Sequence, residues 1–155
     1  MLQILMNLEP RYEQCGATLF EELEEVNEVI FFARGQCDVG FEVNKLKKYV
    51  LRFFNKVVIG AYNCTFNIRS VFCYRCHSDC EGYSIRKSNW LNILNMYPEI
   101  AYVIKSNVAS EYNKSIKFKV LKAKRDHLKK LSKRADFDRI SVIIPNSLDQ
   151  PAGQI

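Results

Sequence analysis

The sequence predicts a mainly β fold with flanking helices. Residues 37–43 alternate apolar and polar side chains with a period of two, the pattern of a half-buried strand. Further short segments rich in branched and aromatic residues follow at close spacing, as in a β-sandwich or small barrel. After Lys87 the period changes to one that suits helices. We therefore expect a β-domain followed by a helical segment.

The β-rich part follows a short helix. Apolar residues between Leu2 and Leu8 predict the end of a helix that Pro10 stops. Gly16 and Gly35 mark turns, and the acidic segment 21–25 is a polar connection. The candidate strands are residues 11–14, 17–21, 27–33, 37–43, 49–54, 56–59, 68–76 and 82–85.

Two helices are predicted after the strands. Ser88 is a suitable N-cap for a helix that ends at Met96. Pro98 suits the first position of the next helix, and Glu99 suits its positive end. A stripe at steps of four predicts that this helix reaches about Lys130: Ile100, Ile104, Val108, Tyr112, Ile116 and Val120. The predicted organisation is a helix end at 1–10, one domain at 11–134 and a disordered tail at 135–155.

Composition and charge exclude several classes of protein. A chain of 155 residues with 48% hydrophobic and 26% charged residues suggests one soluble domain. Its apolar runs are a few residues long, against the ~18–20 needed to span a bilayer. The amino-terminal residues lack the pattern of a signal peptide, so the six cysteines are expected to be reduced thiols in the cytoplasm. The net charge of +6 is uneven, with −7 in residues 1–43 and +9 in residues 105–134.

A glycine and an arginine form the most informative motif. Gly60 lies in the segment Ile-Gly-Ala-Tyr-Asn (59–63), and Arg69 and Ser70 follow. Glycine lets the backbone adopt positive φ and come close to a ligand, so that exposed N–H groups can bind an anion. An arginine can then clamp a phosphate through charge-assisted hydrogen bonds. The motif therefore predicts a site for one phosphate, although no acidic residue lies beside the glycine to bind a sugar.

The order of these elements resembles the cyclic-nucleotide-binding domain superfamily. The resemblance covers roughly residues 5–130. It rests on Arg34-Gly35, Gly60 with Arg69-Ser70, and the segment from Trp90 to Tyr97-Pro98-Glu99. Three phrases look most like cytoplasmic domains of a voltage-gated potassium-channel group abundant in ciliates, related to ether-à-go-go and hyperpolarisation-activated channels: residues 24–32, 59–63 and 82–87.

The resemblance implies a fold, a ligand and a set of site residues. The fold is a β-roll of jelly-roll type, followed by a short helix and a long lid helix. The ligand is cAMP or cGMP, and no other cofactor is implied. Backbone groups of Gly60, Ala61 and Tyr62 would contact the nucleotide, with Arg69 as phosphate clamp and Ser70 supplying a hydroxyl. On the lid helix, Ile104 and Val108 would close the site.

Two departures bear on ligand binding. We call the segment from Ile59 to Ser70, which carries the glycine and the arginine, the cassette. Binding members of the family usually have Phe-Gly-Glu at the start of this segment and a small Ala-Thr pair after the arginine. Here the residues are Ile59-Gly60-Ala61 and Val71-Phe72. We therefore expect a cytoplasmic regulatory domain of an ion channel that binds a cyclic nucleotide weakly or not at all. Its partner would be the channel pore domain or a neighbouring subunit of a tetramer. The alternative is a ligand-free interaction module, and a nucleic-acid-binding protein is a further alternative.

The segment Cys73–Cys80 allows two other interpretations. Cys73, Cys76, His77 and Cys80 could be zinc ligands, and residues 73–77 match a haem-attachment pattern. An odd spacing on a strand points Cys73 and Cys76 to opposite faces, so we expect buried thiols and no metal. The sequence contains no nucleophile elbow, no Walker phosphate-binding loop and no paired-carboxylate pattern, so we expect no enzymatic activity.

Basic residues dominate the end of the second helix. Ten lysines and arginines lie in residues 114–134. Besides a solvated face, the candidate partners are anionic lipid, a calmodulin-like protein or an acidic surface of a neighbouring subunit. Nucleic acid is not expected, because the sequence contains no known reading module.

Overall fold

In the computed structural model of this chain, the backbone is described for residues 2–143 and the side chains for residues 4–136. The described residues divide into two compact units, the first ending at Leu121 and the second beginning at Lys122. The predicted boundaries of a domain at 11–134 and a tail at 135–155 stay predictions.

Eight strands and five helices make up the described chain. The strands are β1 (Glu9–Glu13), β2 (Thr18–Phe20), β3 (Glu28–Arg34), β4 (Gln36–Val43), β5 (Leu46–Phe54), β6 (Val57–Ile59), β7 (Cys73–Cys76) and β8 (Cys80–Arg86). The helices are α1 (Leu2–Met6), α2 (Ala61–Phe66), α3 (Lys87–Met96), α4 (Pro98–Glu111) and α5 (Phe118–Ile143). A π-helical turn, Tyr112–Lys117, joins α4 to α5.

The strands form two four-stranded antiparallel sheets. One sheet has the order β1-β8-β3-β6, and the other has the order β2-β7-β4-β5. Strands β4 and β5 are joined by Asn44 and Lys45, which both have positive φ. Two such residues in a two-residue connection twist the backbone in the direction that suits a hairpin. The predicted mainly β fold class is confirmed.

The core lies between the two sheets. Ile30 and Phe32 of β3 are fully buried, as are Val39 and Phe41 of β4. These residues occupy alternate positions, because successive side chains of a strand point to opposite faces. Phe72, just before β7, is also 1% exposed. The roll therefore has an aromatic interior, and Phe72 brings that interior next to the cassette.

The cassette region differs from the sequence prediction. Residues 61–66 form helix α2, for which no element was predicted, and strand β7 begins at Cys73, so the prediction of a strand over 68–72 was wrong. Helix α3 begins at Lys87, one residue before the predicted N-cap Ser88, and its N-terminus has no side-chain cap. These local errors share a cause: short helices take their stability from tertiary contacts more than from residue propensity.

The long helix also departs from a simple α-helix. It begins at Pro98 as predicted, but the π-turn interrupts it, and α5 continues to Ile143, beyond the predicted end near Lys130. Residues 144–155 of the predicted tail lie outside the described residues. Within the described range, the helices are too short or too polar to cross a membrane.

Candidate functional site

Gly60 begins the cassette helix in a conformation that requires glycine. It has φ 80°, and the carbonyl oxygen of Gly60 accepts a hydrogen bond from Cys64 N at 2.9 Å. A Cβ atom at this position would lie 2.5 Å from the carbonyl oxygen of Glu28. Positive φ and close backbone approach are the two reasons for which a chain needs glycine. The backbone geometry predicted for Gly60 is therefore present, and Ala61 follows it at the start of α2, 9% exposed.

Asn63 fixes the loop that follows α2. Its side-chain Nδ2 donates to the carbonyl oxygens of Ile68 and Arg69, both at 3.1 Å. Its own carbonyl oxygen accepts from the N–H groups of Asn67 and Ile68, and Asn67 has the positive φ common at helix C-termini. Sequence reasoning missed this role. A buried asparagine followed by a second asparagine four residues later was the available signal.

Arg69 and Ser70, the predicted anion ligands, are engaged by the chain itself. Arg69 is exposed, and its Nη1 donates to the carbonyl oxygen of Leu23 at 3.2 Å. Ser70 is buried, and its Oγ donates to the carbonyl oxygen of Phe72 at 2.7 Å. The backbone of Ser70 is also paired with Leu23 and Glu24, at 2.7 and 2.9 Å. These contacts tie the loop to the segment between β2 and β3, and they use groups that a phosphate would need.

Three aromatic rings occupy the space beside the cassette helix. Tyr62 of α2 and Tyr112 of the π-turn stack in parallel, with centroids 4.0 Å apart and an interplanar angle of 4°. Phe72 lies 6.3 Å from Tyr112, centroid to centroid. Tyr112 is 7% exposed, and its burial, with a smaller contribution from Tyr62, raises the pKa of Tyr112 to about 12. The Tyr112 hydroxyl is therefore neutral at physiological pH, and the helix after Pro98 is attached to the cassette by an uncharged contact.

A cavity of about 330 Å³ remains next to this stack. Its lining is mostly apolar and includes Phe31, Val58, Tyr62, Trp90, Val108 and Tyr112. Val108, a predicted lid residue, thus reaches the cassette. Ile104 does not line this cavity; it lines a separate apolar groove with Ile4, Ile93 and Tyr97. The two predicted lid residues are therefore not brought together at one site.

Trp90 connects the helices after β8 to the cassette. It is 6% exposed, and its indole Nε1 donates to Thr65 Oγ1 at 2.9 Å. A buried indole needs such a partner, because an unpaired buried N–H is costly. The hydrogen bond fixes the distance between α2 and α3.

A cluster of charged residues around Asp38 lies on another part of the roll. Asp38 of β4 is 2% exposed, and Arg52 Nε lies 2.6 Å from its Oδ1. Arg75 Nη2 and His77 Nδ1 lie 3.1 and 3.3 Å from Oδ2, and the guanidinium of Arg75 also covers the ring of Tyr49 at 3.8 Å. Burial alone would raise the pKa of Asp38, but hydrogen bonds from Arg52 and Arg75 lower it below its ordinary value. Asp38 is therefore ionised at neutral pH.

The cysteines and the histidine of the segment Cys73–Cys80 lie in three separate environments. Cys73 lies with Glu21 and Glu42, whose ligand atoms are all within 4.8 Å of one another, but Lys47 is already paired with Glu21 there. Cys76 lies beside Cys80, where burial raises the pKa of the Cys76 thiol to about 12. His77 belongs to the Asp38 cluster. The structure does not bring the four residues of the zinc interpretation into one site.

Comparisons with known proteins show which class of fold this is. No family model matches the chain, and no curated protein matches it in sequence. Solved structures do match. A cyclic nucleotide-binding protein from Geobacter metallireducens has 12% identity and a TM-score of 0.63, with 74% of this chain and 83% of that chain covered. The fold is thus a β-roll with flanking helices, as predicted, and it is similar to the fold of this cyclic nucleotide-binding protein.

Two further structures come from a kinase and from a channel. The regulatory domain of Toxoplasma gondii PKA, crystallised with cAMP, has 10% identity and a TM-score of 0.56, covering 59% of this chain and 35% of that chain. The C-linker and cyclic-nucleotide-binding homology domain of zELK channels has 15% identity and a TM-score of 0.61, covering 70% and 54%. At these identities the likeness concerns the fold alone, and it leaves the ciliate-type origin a prediction.

Proposed function

We propose that this chain is a cytoplasmic regulatory domain of an ion channel whose cassette is closed by its own aromatic side chains. In this proposal it binds cAMP or cGMP weakly or not at all, and it acts through contacts within the channel. It has no enzymatic activity of its own. The observation that carries the proposal is the stack of Tyr112 on Tyr62, with Phe72 beside it.

Three features of the cassette support weak or absent nucleotide binding. Ala61 lies where binding members of the resembled family have a glutamate, so a ribose hydroxyl has no carboxylate to bind. Phe72 stands where those members have a small residue, and it is buried. Arg69 and Ser70 are bonded to backbone carbonyls at 3.2 and 2.7 Å. A nucleotide would have to break these bonds and displace Tyr112, and that cost is subtracted from its affinity.

The helix contact supports a regulatory role. Tyr112 lies in a π-turn, a rare arrangement that is frequent at functional sites. A domain that acts by moving a helix needs a contact whose two arrangements differ in free energy. In the proposal, the Tyr62–Tyr112 stack holds one arrangement without a ligand. The similarity to a channel domain supports the choice of an ion channel as the setting.

A thermal shift with millimolar cAMP and cGMP tests nucleotide binding. We expect no change in Tm for the natural chain. The matched variant Ala61→Glu/Phe72→Thr restores the family residues at two positions, and we expect it to be stabilised. A ligand at ~100 times its Kd adds about 2.7 kcal/mol, a shift of several degrees for a chain of this size. A shift in the natural chain that Arg69→Ala abolishes would contradict the proposal, since it would show a working cassette.

A chimaeric channel tests the regulatory role. This chain would replace the corresponding domain of an ELK channel, and voltage activation would be measured with and without cAMP. We expect a midpoint that cAMP leaves unchanged and that Tyr112→Ala shifts. A chimaera that behaves like a channel with the domain deleted, with or without Tyr112, would contradict the role in gating.

A further inference from the structure

Helix α5 carries the highest density of positive charge in the described chain. Between Lys122 and Arg134 there are seven basic residues and one acidic residue, Asp126. Lys122, Arg125, Lys129 and Lys133 follow at spacings of three, four and four, and all four are exposed. These spacings place the four on one face of the helix. Like charges at such spacings repel, so an anionic partner would stabilise this face.

Six of the nine acidic residues in residues 1–43 form ion pairs with bases outside α5. Glu9 pairs with Arg86, Glu13 and Glu28 pair with Arg11, and Asp38 pairs with Arg52 and Arg75. Glu21 pairs with Lys47 and Glu25 with Lys87. These six carboxylates are thus paired within the β-roll and its adjoining helix.

An apolar strip runs beside the basic face. Leu128, Leu131 and Ala135 follow at spacings of three and four, and Leu128 is 45% exposed. At 100° per residue, Leu128 lies about 60° from Arg125 around the helix. A helix with a lysine-rich face beside exposed leucine is suited to the interface of a bilayer, where the leucine enters the acyl boundary and lysine stems reach the headgroups.

The kinds of basic residue also favour a membrane surface. Five of the seven are lysines and two are arginines. Arginine forks give the bidentate contacts typical of nucleic-acid and phosphopeptide recognition, whereas lysine acts as a point charge. We propose that residues 122–135 of α5 bind the surface of a bilayer that contains anionic phospholipid. This inference is independent of whether the cassette binds a nucleotide.

Vesicle binding by the full chain tests the proposal. Partition would be measured on phosphatidylcholine vesicles with and without about 30% phosphatidylserine, in about 0.1 M potassium chloride. We expect binding to the anionic vesicles only, weakening as salt rises. Each basic residue near such a surface contributes about fivefold, so Lys122→Gln/Arg125→Gln/Lys129→Gln/Lys133→Gln should lose about 100-fold or more. Circular dichroism would verify that this variant keeps its helix.

A matched control separates the helix face from net charge. Arg34→Gln/Lys45→Gln/Lys56→Gln/Lys105→Gln also removes one arginine and three lysines, all exposed. We expect it to keep most of its vesicle binding. An equal loss in both variants would overturn the proposal, because net charge alone would then explain the binding.

A second pair of variants tests the apolar strip and so the type of partner. Leu128→Gln should weaken vesicle binding severalfold, because a membrane interface binds apolar surface as well as charge. Leu46→Gln, at a site 75% exposed in the β4–β5 hairpin, should not. Binding to a short RNA or to polyglutamate, with no binding to anionic vesicles, would overturn the proposal in favour of an acidic macromolecule.

Discussion

Arginine has very different roles in two regions of this roll. At the cassette, Arg69 is exposed and has one hydrogen bond to a backbone carbonyl. Around Asp38, Arg52 and Arg75 each contact a carboxylate that is 2% exposed. The difference lies in the partner, since the cassette offers no buried acid. In this chain, strong electrostatic pairing stabilises the roll, and the cassette is held by aromatic packing and hydrogen bonds to backbone carbonyls.

The largest loss of stability is expected for a substitution that removes the buried carboxylate of Asp38. Asp38→Ala leaves Arg52, Arg75 and His77 facing one another without their shared carboxylate. We expect a loss of about 3 kcal/mol, the low end for a broken buried ion pair, because the three bases are partly exposed. Urea unfolding would measure it, with the exposed Glu81→Ala as control. A loss as small as the control's would mean that the cluster is not a stabilising centre.

The same carboxylate predicts a pH dependence that the cassette lacks. Because the folded pKa of Asp38 is lowered, its contribution is fully present above the unfolded value near 4 and is lost as pH falls through the folded pKa. The natural chain should therefore lose stability below about pH 5 more steeply than Asp38→Asn. Urea midpoints of both proteins against pH would measure this. Parallel curves would show that Asp38 has an ordinary pKa.

Within the cassette, a substitution of Gly60 should reduce the free energy of unfolding more than a substitution of Arg69. Gly60→Ala places a Cβ atom 2.5 Å from Glu28 O at positive φ, and we expect a loss of about 2 kcal/mol. Gly16 also has positive φ, but nothing lies within 4 Å of its Cβ position, so Gly16→Ala should cost about 1 kcal/mol. The difference between the two variants in thermal unfolding isolates the close approach. Equal losses would mean that the Glu28 backbone can move away.

The smallest loss of stability is expected for a substitution of Arg69, the predicted phosphate clamp. Arg69→Ala removes one exposed hydrogen bond and should change the free energy of unfolding by about 0.5 kcal/mol or less. Urea unfolding beside Asp38→Ala would compare the two regions directly. A loss above 2 kcal/mol would show that Arg69 pairs with a buried anionic group.

The sequence correctly predicted elements that show a local pattern of apolar and polar residues. It failed where the structure of a segment depends on contacts with residues distant in the chain. The alternation over 37–43 correctly predicts β4, because each of its residues belongs to one face or the other. Helix α2 was missed, since its six residues gain stability from a contact with Trp90, which lies 25 residues from its partner Thr65. The alternation places Asp38 on the polar face of β4, but it cannot reveal that Arg52 of β5 and Arg75 of β7 cover this carboxylate.

The π-turn had a sequence signal whose meaning became clear only in the structure. The apolar stripe from Ile100 to Val120 advances by four residues at each step, more than the 3.6 of an α-helix. Such a stripe drifts around a pure α-helix, but a turn of wider period returns it toward one side. Tyr112 and Val120 are both buried, at 7% and 0% exposure. The spacing of four residues in this stripe is therefore consistent with a long helix that contains a turn wider than an α-helical one.

Trp90 is the only tryptophan in the chain, and its indole N–H is bonded to the cassette helix. The intrinsic fluorescence of this protein therefore comes largely from a single reporter at the junction of α2 and α3. An event that separates those helices would expose the indole to water and move its emission to longer wavelength. The chain thus carries a built-in optical signal for movement at its cassette, without any added label.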